Sequence, residues 1–206
     1  MKNAWTAFSR QAAFALLVGI ALVTPAIGAS RPVVIIPGIM GSKLCDRDNN
    51  VIWGDRNSYT ATRIIALRLP ASPAARDQSI HSCGLIETIN IIPLLWEADV
   101  YTPLLNFLKS QGYKDEEIIR FDYDWRLSNF ENATRLRDVV DKLGSQKVDI
   151  LAHSMGGIIA RIYIQQLNGE GKVNSLVMLS TPNKGSAMIF ARLNEGFENW
   201  PSLDHS

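Results

Sequence analysis

An α/β fold, with a parallel sheet carrying helices on both faces, is predicted by three features of the 206-residue sequence. Aliphatic and β-branched runs alternate with helical periodicities in units of about 30 residues, the length of a strand–helix crossover. One run, KVDILAHS (147–154), passes straight into the helix-like MGGIIARIYIQQL (155–167) through a serine with small residues around it. Another, RPVVIIPG (31–38), stops at Pro-Gly and opens a glycine-containing turn.

The first 29 residues stand apart. Lys2 and Arg10 precede the uncharged AAFALLVGIALV, and TPAIGAS then supplies a proline and small residues. This layout predicts a signal peptide over 1–29, cleaved near Gly28 or Ala29, and hence a secreted or periplasmic protein. An uncleaved N-terminal membrane anchor is the alternative, but the 12-residue apolar core is short of the roughly 20 residues that span a bilayer. Without Lys2 and Arg10 the formal charge moves from +1 to −1.

The remainder, 30–206, is predicted to be one α/β domain, long enough for a sizeable core. Residues 42–98 carry scattered Gly, Pro, Asn and Asp and predict a long irregular loop or small cap, a length expected only of a functional lid. Thr102-Pro103 begins a helix through LLNFLKSQGY, with Thr102 as cap and Gly112 as terminator. IIRFDYDW (118–125) starts as a strand. Ser128 or Asn129 caps a helix that Gly144 closes, and KVNSLVMLS (172–180) supplies the last strand.

Charged residues make up 20% of the chain, and a net charge of +1 offers no field for nucleic acid, which is excluded as a partner. Three scattered histidines and two cysteines lack metal-ligand spacing, so no metal is predicted, and no motif asks for a cofactor. PGIMGSK lacks the Gly-Lys spacing of a phosphate-binding loop. In an oxidising compartment Cys45 and Cys83 predict a disulfide, with two buried free thiols as the alternative. Asn132-Ala133-Thr134 is a glycosylation pattern, meaningful only in a eukaryotic secretory path.

The chemistry is concentrated at Ala152-His153-Ser154-Met155-Gly156. This is a nucleophile-elbow pattern, with Ala152 in place of the first glycine. The turn from strand to helix is sharp, so the positions two before and two after the serine must be small. Such an elbow predicts an α/β-hydrolase-type domain in which Ser154 attacks an ester carbonyl. The Met155 N–H, at a helix N-terminus, would hold the developing oxyanion. A second donor is expected from Pro37-Gly38-Ile39-Met40-Gly41, with the Ile39 N–H assigned ahead of Met40. His153 is expected to point aside into packing.

With those residues in place, the chain resembles the lecithin:cholesterol acyltransferase and lysosomal phospholipase A2 family. The resemblance rests on PVVIIPGIMGSKL (32–44), the cysteines after it, LLNFLKSQGY (104–113), FDYDWRLS (121–128), LAHSMGG (151–157) and LSTPNKGS (179–186). It implies a capped α/β-hydrolase that cleaves a lipid ester through an acyl-serine and passes the acyl group to water or an alcohol. It also implies that Cys45 and Cys83 tie a lid near the site, that Ile39 is an oxyanion donor, and that Trp53 is a lid aromatic. Lipid or another ester is the expected substrate, with peripheral contact at a lipid surface. For Tyr123, Asp124, Trp125 and Arg126, packing plus an ion pair is the better reading.

In this fold the triad acid and histidine follow the serine. His81 precedes it, His153 adjoins it, and His205 is the penultimate residue. The last predicted strand leaves 26 residues, whereas two further strand–helix units need about 60. Asp204 and His205 therefore read as incidental, and the chain as the N-terminal part of a hydrolase, C-terminally incomplete, with its triad acid and His unknown. Alone it is expected to turn over little or no substrate. The rival readings are a secreted triglyceride lipase or carboxylesterase, and a non-catalytic exported binding domain.

Overall fold

The computed structural model describes residues 31–58, 60–69, 79–92, 96–144 and 146–186. The segment 1–29, Asp204 and His205 lie outside them. In chain order the elements are β1 (Val33–Ile36), β2 (Ser42–Cys45), β3 (Val51–Trp53), α1 (Ala61–Ala66), β4 (His81–Leu85), β5 (Thr88–Ile92), β6 (Trp96–Asp99), α2 (Thr102–Ser110), β7 (Ile118–Arg120), α3 (Asn129–Lys142), β8 (Val148–His153), α4 (Met155–Gln166) and β9 (Val173–Leu179). Among the described residues no helix is long and apolar enough to cross a membrane.

β7, β1, β8 and β9 form a parallel sheet in that spatial order. Its register aligns Ile119, Val34, Ile150 and Leu176 across the four strands. β1 is apolar at every position because both its faces are covered: Val33, Val34, Ile35 and Ile36 are all buried. Val34 and Ile36 join Ile150 and Ala152 of β8 in a core completed by Leu136 and Val140 of α3 and Ile159 and Tyr163 of α4. This is the α/β sheet the alternating runs predicted.

The helix boundaries follow local chemistry. Ser128 Oγ accepts the Glu131 N–H at 3.1 Å while Glu131 accepts the Ser128 N–H at 3.2 Å, a reciprocal capping box for α3. Gly112 and Gly144 follow α2 and α3 with φ of 94° and 87°, as left-handed terminators. Thr102 departs from expectation. It is the first helical residue of α2, and its hydroxyl donates to the Glu87 carbonyl at 3.1 Å instead of capping. That carbonyl also accepts the N–H groups of Val100, Tyr101 and Thr102, so a distant oxygen does the work of a side-chain cap.

The described residues of 42–98 are not an irregular loop. β2 pairs antiparallel with β3 and β4, and β5 pairs antiparallel with β6. Strands of three to five residues, with glycine or polar residues inside them, carry too little alternation to be read. The pairing of β2 with β4 is also non-local, and the Cys45–Cys83 disulfide joins those neighbouring strands across 38 residues. Asn132 is 2% exposed and donates to the Asp124 carbonyl at 2.9 Å, so the glycosylation pattern is closed in this fold.

Candidate active site

Ser154 stands between the last residue of β8 and the first of α4, with φ 51° and ψ −121°. A non-glycine residue held there is strained by about 1–3 kcal/mol and needs support from its surroundings. The support is visible. The Ser154 N–H donates to the Leu179 carbonyl at the end of β9 at 2.8 Å, and the Ser154 carbonyl accepts the Gly157 N–H at 3.1 Å. The residues that must be small are small. A Cβ on Gly156 would stand 2.6 Å from the carbonyl oxygens of Ile36 and Pro37, and one on Gly157 would overlap the Thr181 side chain. Ala152 is fully buried in the core between Ile36 and Met178.

Directly against the serine lies the turn after β1. A Cβ on Gly38 would be 3.0 Å from Ser154 Cβ and 3.1 Å from His153 Nδ1. The Gly41 N–H donates to the Gly38 carbonyl at 3.0 Å, closing a four-residue turn whose third residue, Met40, has φ 62°. Three aromatic side chains hold that turn. Tyr123 Oη donates to the Pro37 carbonyl at 2.9 Å, Trp53 Nε1 donates to the Met40 carbonyl at 3.0 Å, and Tyr101 Oη accepts the Gly38 N–H at 2.9 Å. The Ile39 and Met40 N–H groups make no hydrogen bond among the described residues, and neither does the Met155 N–H at the start of α4. Free N–H groups on the residue after the serine and in the turn packed against it are what an oxyanion hole requires.

Tyr101 also reaches His153, with Oη 2.8 Å from Nδ1. Tyr101 is 5% exposed and its proton has no other acceptor among the described residues, so that proton is assigned to this contact. His153 then carries its proton on Nε2. Burial agrees with a neutral ring, since it pushes the His153 pKa below 6.5 and raises that of Tyr101 to about 12.

The Tyr123-to-Arg126 cluster is packing and an ion pair, as expected. The Arg126 guanidinium makes two hydrogen bonds to the Asp124 carboxylate, the Arg126 backbone N–H adds a third, and both side chains are under one-tenth exposed. Trp53, expected as a lid aromatic, is 7% exposed and packs edge-on against Trp125 at 5.4 Å. Neither described histidine is placed to act as a base. His81 lies exposed on β4 opposite Cys45, and His153 Nδ1 is taken by Tyr101. No group of three or more His, Cys, Asp or Glu that could hold a metal occurs among the described residues. Sequence reasoning missed the clamps from Tyr101, Tyr123 and Trp53, which come from segments 13 to 86 residues away from their acceptors and donors.

The sequence model of the lecithin:cholesterol acyltransferase family matches residues 88–203, more than half of the chain. The chain belongs to the lecithin:cholesterol acyltransferase family. The match includes Ser154 and its elbow but not the turn at residues 37–41 or the disulfide. Among solved structures, a chain in the crystal structure of the Tle4–Tli4 complex superposes with a TM-score of 0.54 at 19% identity. That superposition covers 80% of this chain and 48% of the other, so the family member described here spans about half the length of its structural neighbour. At that identity the likeness carries the fold alone, an α/β-hydrolase-type parallel sheet, beside which this chain has a three-stranded and a two-stranded antiparallel sheet.

Proposed function

We propose that Ser154 is the nucleophile of an exported enzyme that transfers the acyl group of a lipid ester through an acyl-serine. The observation that carries this reading is the strained backbone of Ser154 at a strand–helix elbow, with unpaired N–H groups on Met155, which follows it, and on Ile39 of the turn whose Gly38 packs against it. Ser154 Oγ attacks the carbonyl carbon as its proton passes to a histidine base outside the described residues. The carbonyl oxygen becomes an oxyanion held by the Ile39 and Met155 N–H groups. Collapse breaks the ester C–O bond, and the leaving alcohol takes the proton from that base. Water or a second alcohol then repeats the sequence in reverse on acyl-Ser154.

Family membership supports a lipid ester as acyl donor. The exposed side chains of Ile39, Met40 and Ile65 support contact with acyl chains or a lipid surface. The Cys45–Cys83 disulfide supports export, the segment 42–98 being read as the cap.

The test is product analysis with the full-length gene product. Phospholipid vesicles are supplied with and without a sterol, alongside Ser154→Ala. Fatty acid or acylated alcohol that disappears in Ser154→Ala is the expected result. Cleavage of soluble esters or triglycerides, with phospholipid untouched, would favour the carboxylesterase or lipase reading. No ester cleavage at all would favour a binding domain.

A further inference from the structure

We propose that Tyr101 and His153 form a positioning pair that sets the turn Gly38–Gly41 in register with Ser154. The proposal rests on the reading of Ser154 as nucleophile. Four groups close a ring. Gly38 packs on Ser154 Cβ and on His153, its N–H donates to Tyr101 Oη at 2.9 Å, and Tyr101 Oη is 2.8 Å from His153 Nδ1. His153 immediately precedes Ser154 in the chain, so the ring returns to the nucleophile through one peptide bond.

The chemistry gives each member a reason. Tyr101 is 5% exposed, so its hydroxyl must find its partners inside the protein. Holding its proton on His153 Nδ1 turns a lone pair towards the Gly38 N–H, which otherwise would be buried and unpaired. The Gly38 N–H is thereby kept away from the reaction centre. The next N–H in the chain, that of the exposed residue Ile39, is left without a partner among the described residues. Gly41 belongs to the same construction: a Cβ there would stand 3.0 Å from Tyr101 Oη. His153 is therefore the acceptor that orients the tyrosine, and it does more than fill space beside the serine. Neither residue touches the reacting atoms. Their effect on the rate is through the placement of the Ile39 N–H.

The test compares Tyr101→Phe, His153→Leu and His153→Asn, and the double variant Tyr101→Phe/His153→Leu, in the full-length gene product. Steady-state hydrolysis of p-nitrophenyl butyrate gives kcat and KM separately. Since complete loss of one oxyanion donor costs about 10²–10³ in rate, a misplaced one is expected to lower kcat about tenfold in Tyr101→Phe and in His153→Leu, with KM little changed. The double variant should be no slower than the slower single one, because both substitutions break the same ring. His153→Asn keeps an acceptor near the position of Nδ1 and should recover most of the wild-type kcat. A kcat in Tyr101→Phe equal to wild type would overturn the proposal, and so would a multiplicative loss in the double variant. If Tyr101→Phe fails to fold, as judged by far-UV circular dichroism, the pair His153→Leu and His153→Asn decides: equal kcat in the two contradicts the proposal. Wild-type turnover in Ser154→Ala would instead remove the nucleophile reading on which it rests.

Discussion

Gly156 lies so close beneath the end of β1 that a Cβ on it would stand 2.6 Å from the Ile36 carbonyl oxygen. Backbone cannot swing aside as a side chain can. Gly156→Ala should therefore force α4 away from β1, moving both Ser154 and the turn that faces it. Overpacking of this kind costs about 1–3 kcal/mol, and the upper end is expected here. Urea denaturation should show a lower midpoint with an unchanged slope, and esterase activity of the full-length gene product should fall with it. A variant as stable and active as wild type would show that the approach is looser than the geometry gives.

The strain at Ser154 predicts a trade between stability and activity. Glycine accepts a φ of 51° without the penalty that any Cβ meets there. Ser154→Gly and Ser154→Ala should both be inactive, yet Ser154→Gly should be the more stable by about 1 kcal/mol once the added chain entropy is subtracted. Thermal unfolding of the two variants checks this, and the reverse order would mean that the elbow is not strained.

The Cys45–Cys83 bond closes a 38-residue separation between neighbouring strands. Constraint of the unfolded chain by such a loop contributes about 4 kcal/mol. Cys45→Ser should lose stability on that scale. Reductant should lower the Tm of the wild type to that of the variant and leave the variant unmoved.

His153 gives the protein a pH dependence with a definite sign. Burial lowers its folded pKa below the unfolded value of 6.5. Between those two values the unfolded chain binds the proton and the folded chain does not, so stability rises with pH through that window. Acidification from 6.5 downwards should therefore cost stability, which falls until the folded ring also protonates. His153→Asn, which does not titrate, should lose this component. Denaturation midpoints measured from neutral to mildly acidic pH in both proteins provide the comparison.

Much of this was legible in the residues themselves. β1 is an aliphatic run buried at every position, β8 and β9 carry enough aliphatic residues to read as strands beside it, and Ser128 with Glu131 announces the start of α3 through local chemistry. The elbow was legible because its steric demands fall on positions two residues from Ser154. The small sheets of residues 42–98 were not, since β2, β3 and β4 are short and their pairing depends on partners far along the chain. Hidden for the same reason were the clamps on the turn after β1. Nothing near Tyr101 in sequence indicates that its hydroxyl meets Gly38 and His153, 63 and 52 residues away. Thr102 looked like a cap because its residue type suits one. The Glu87 carbonyl that displaces it from that role is visible only in three dimensions.

The central claim is that Ser154 forms the covalent intermediate. It is tested most directly by treating the full-length gene product with a long-chain alkyl fluorophosphonate and locating the adduct by peptide mass spectrometry. The account predicts one adduct per molecule, on Ser154, formed in step with the loss of ester cleavage. An adduct on another residue, or loss of activity with Ser154 unmodified, would contradict it.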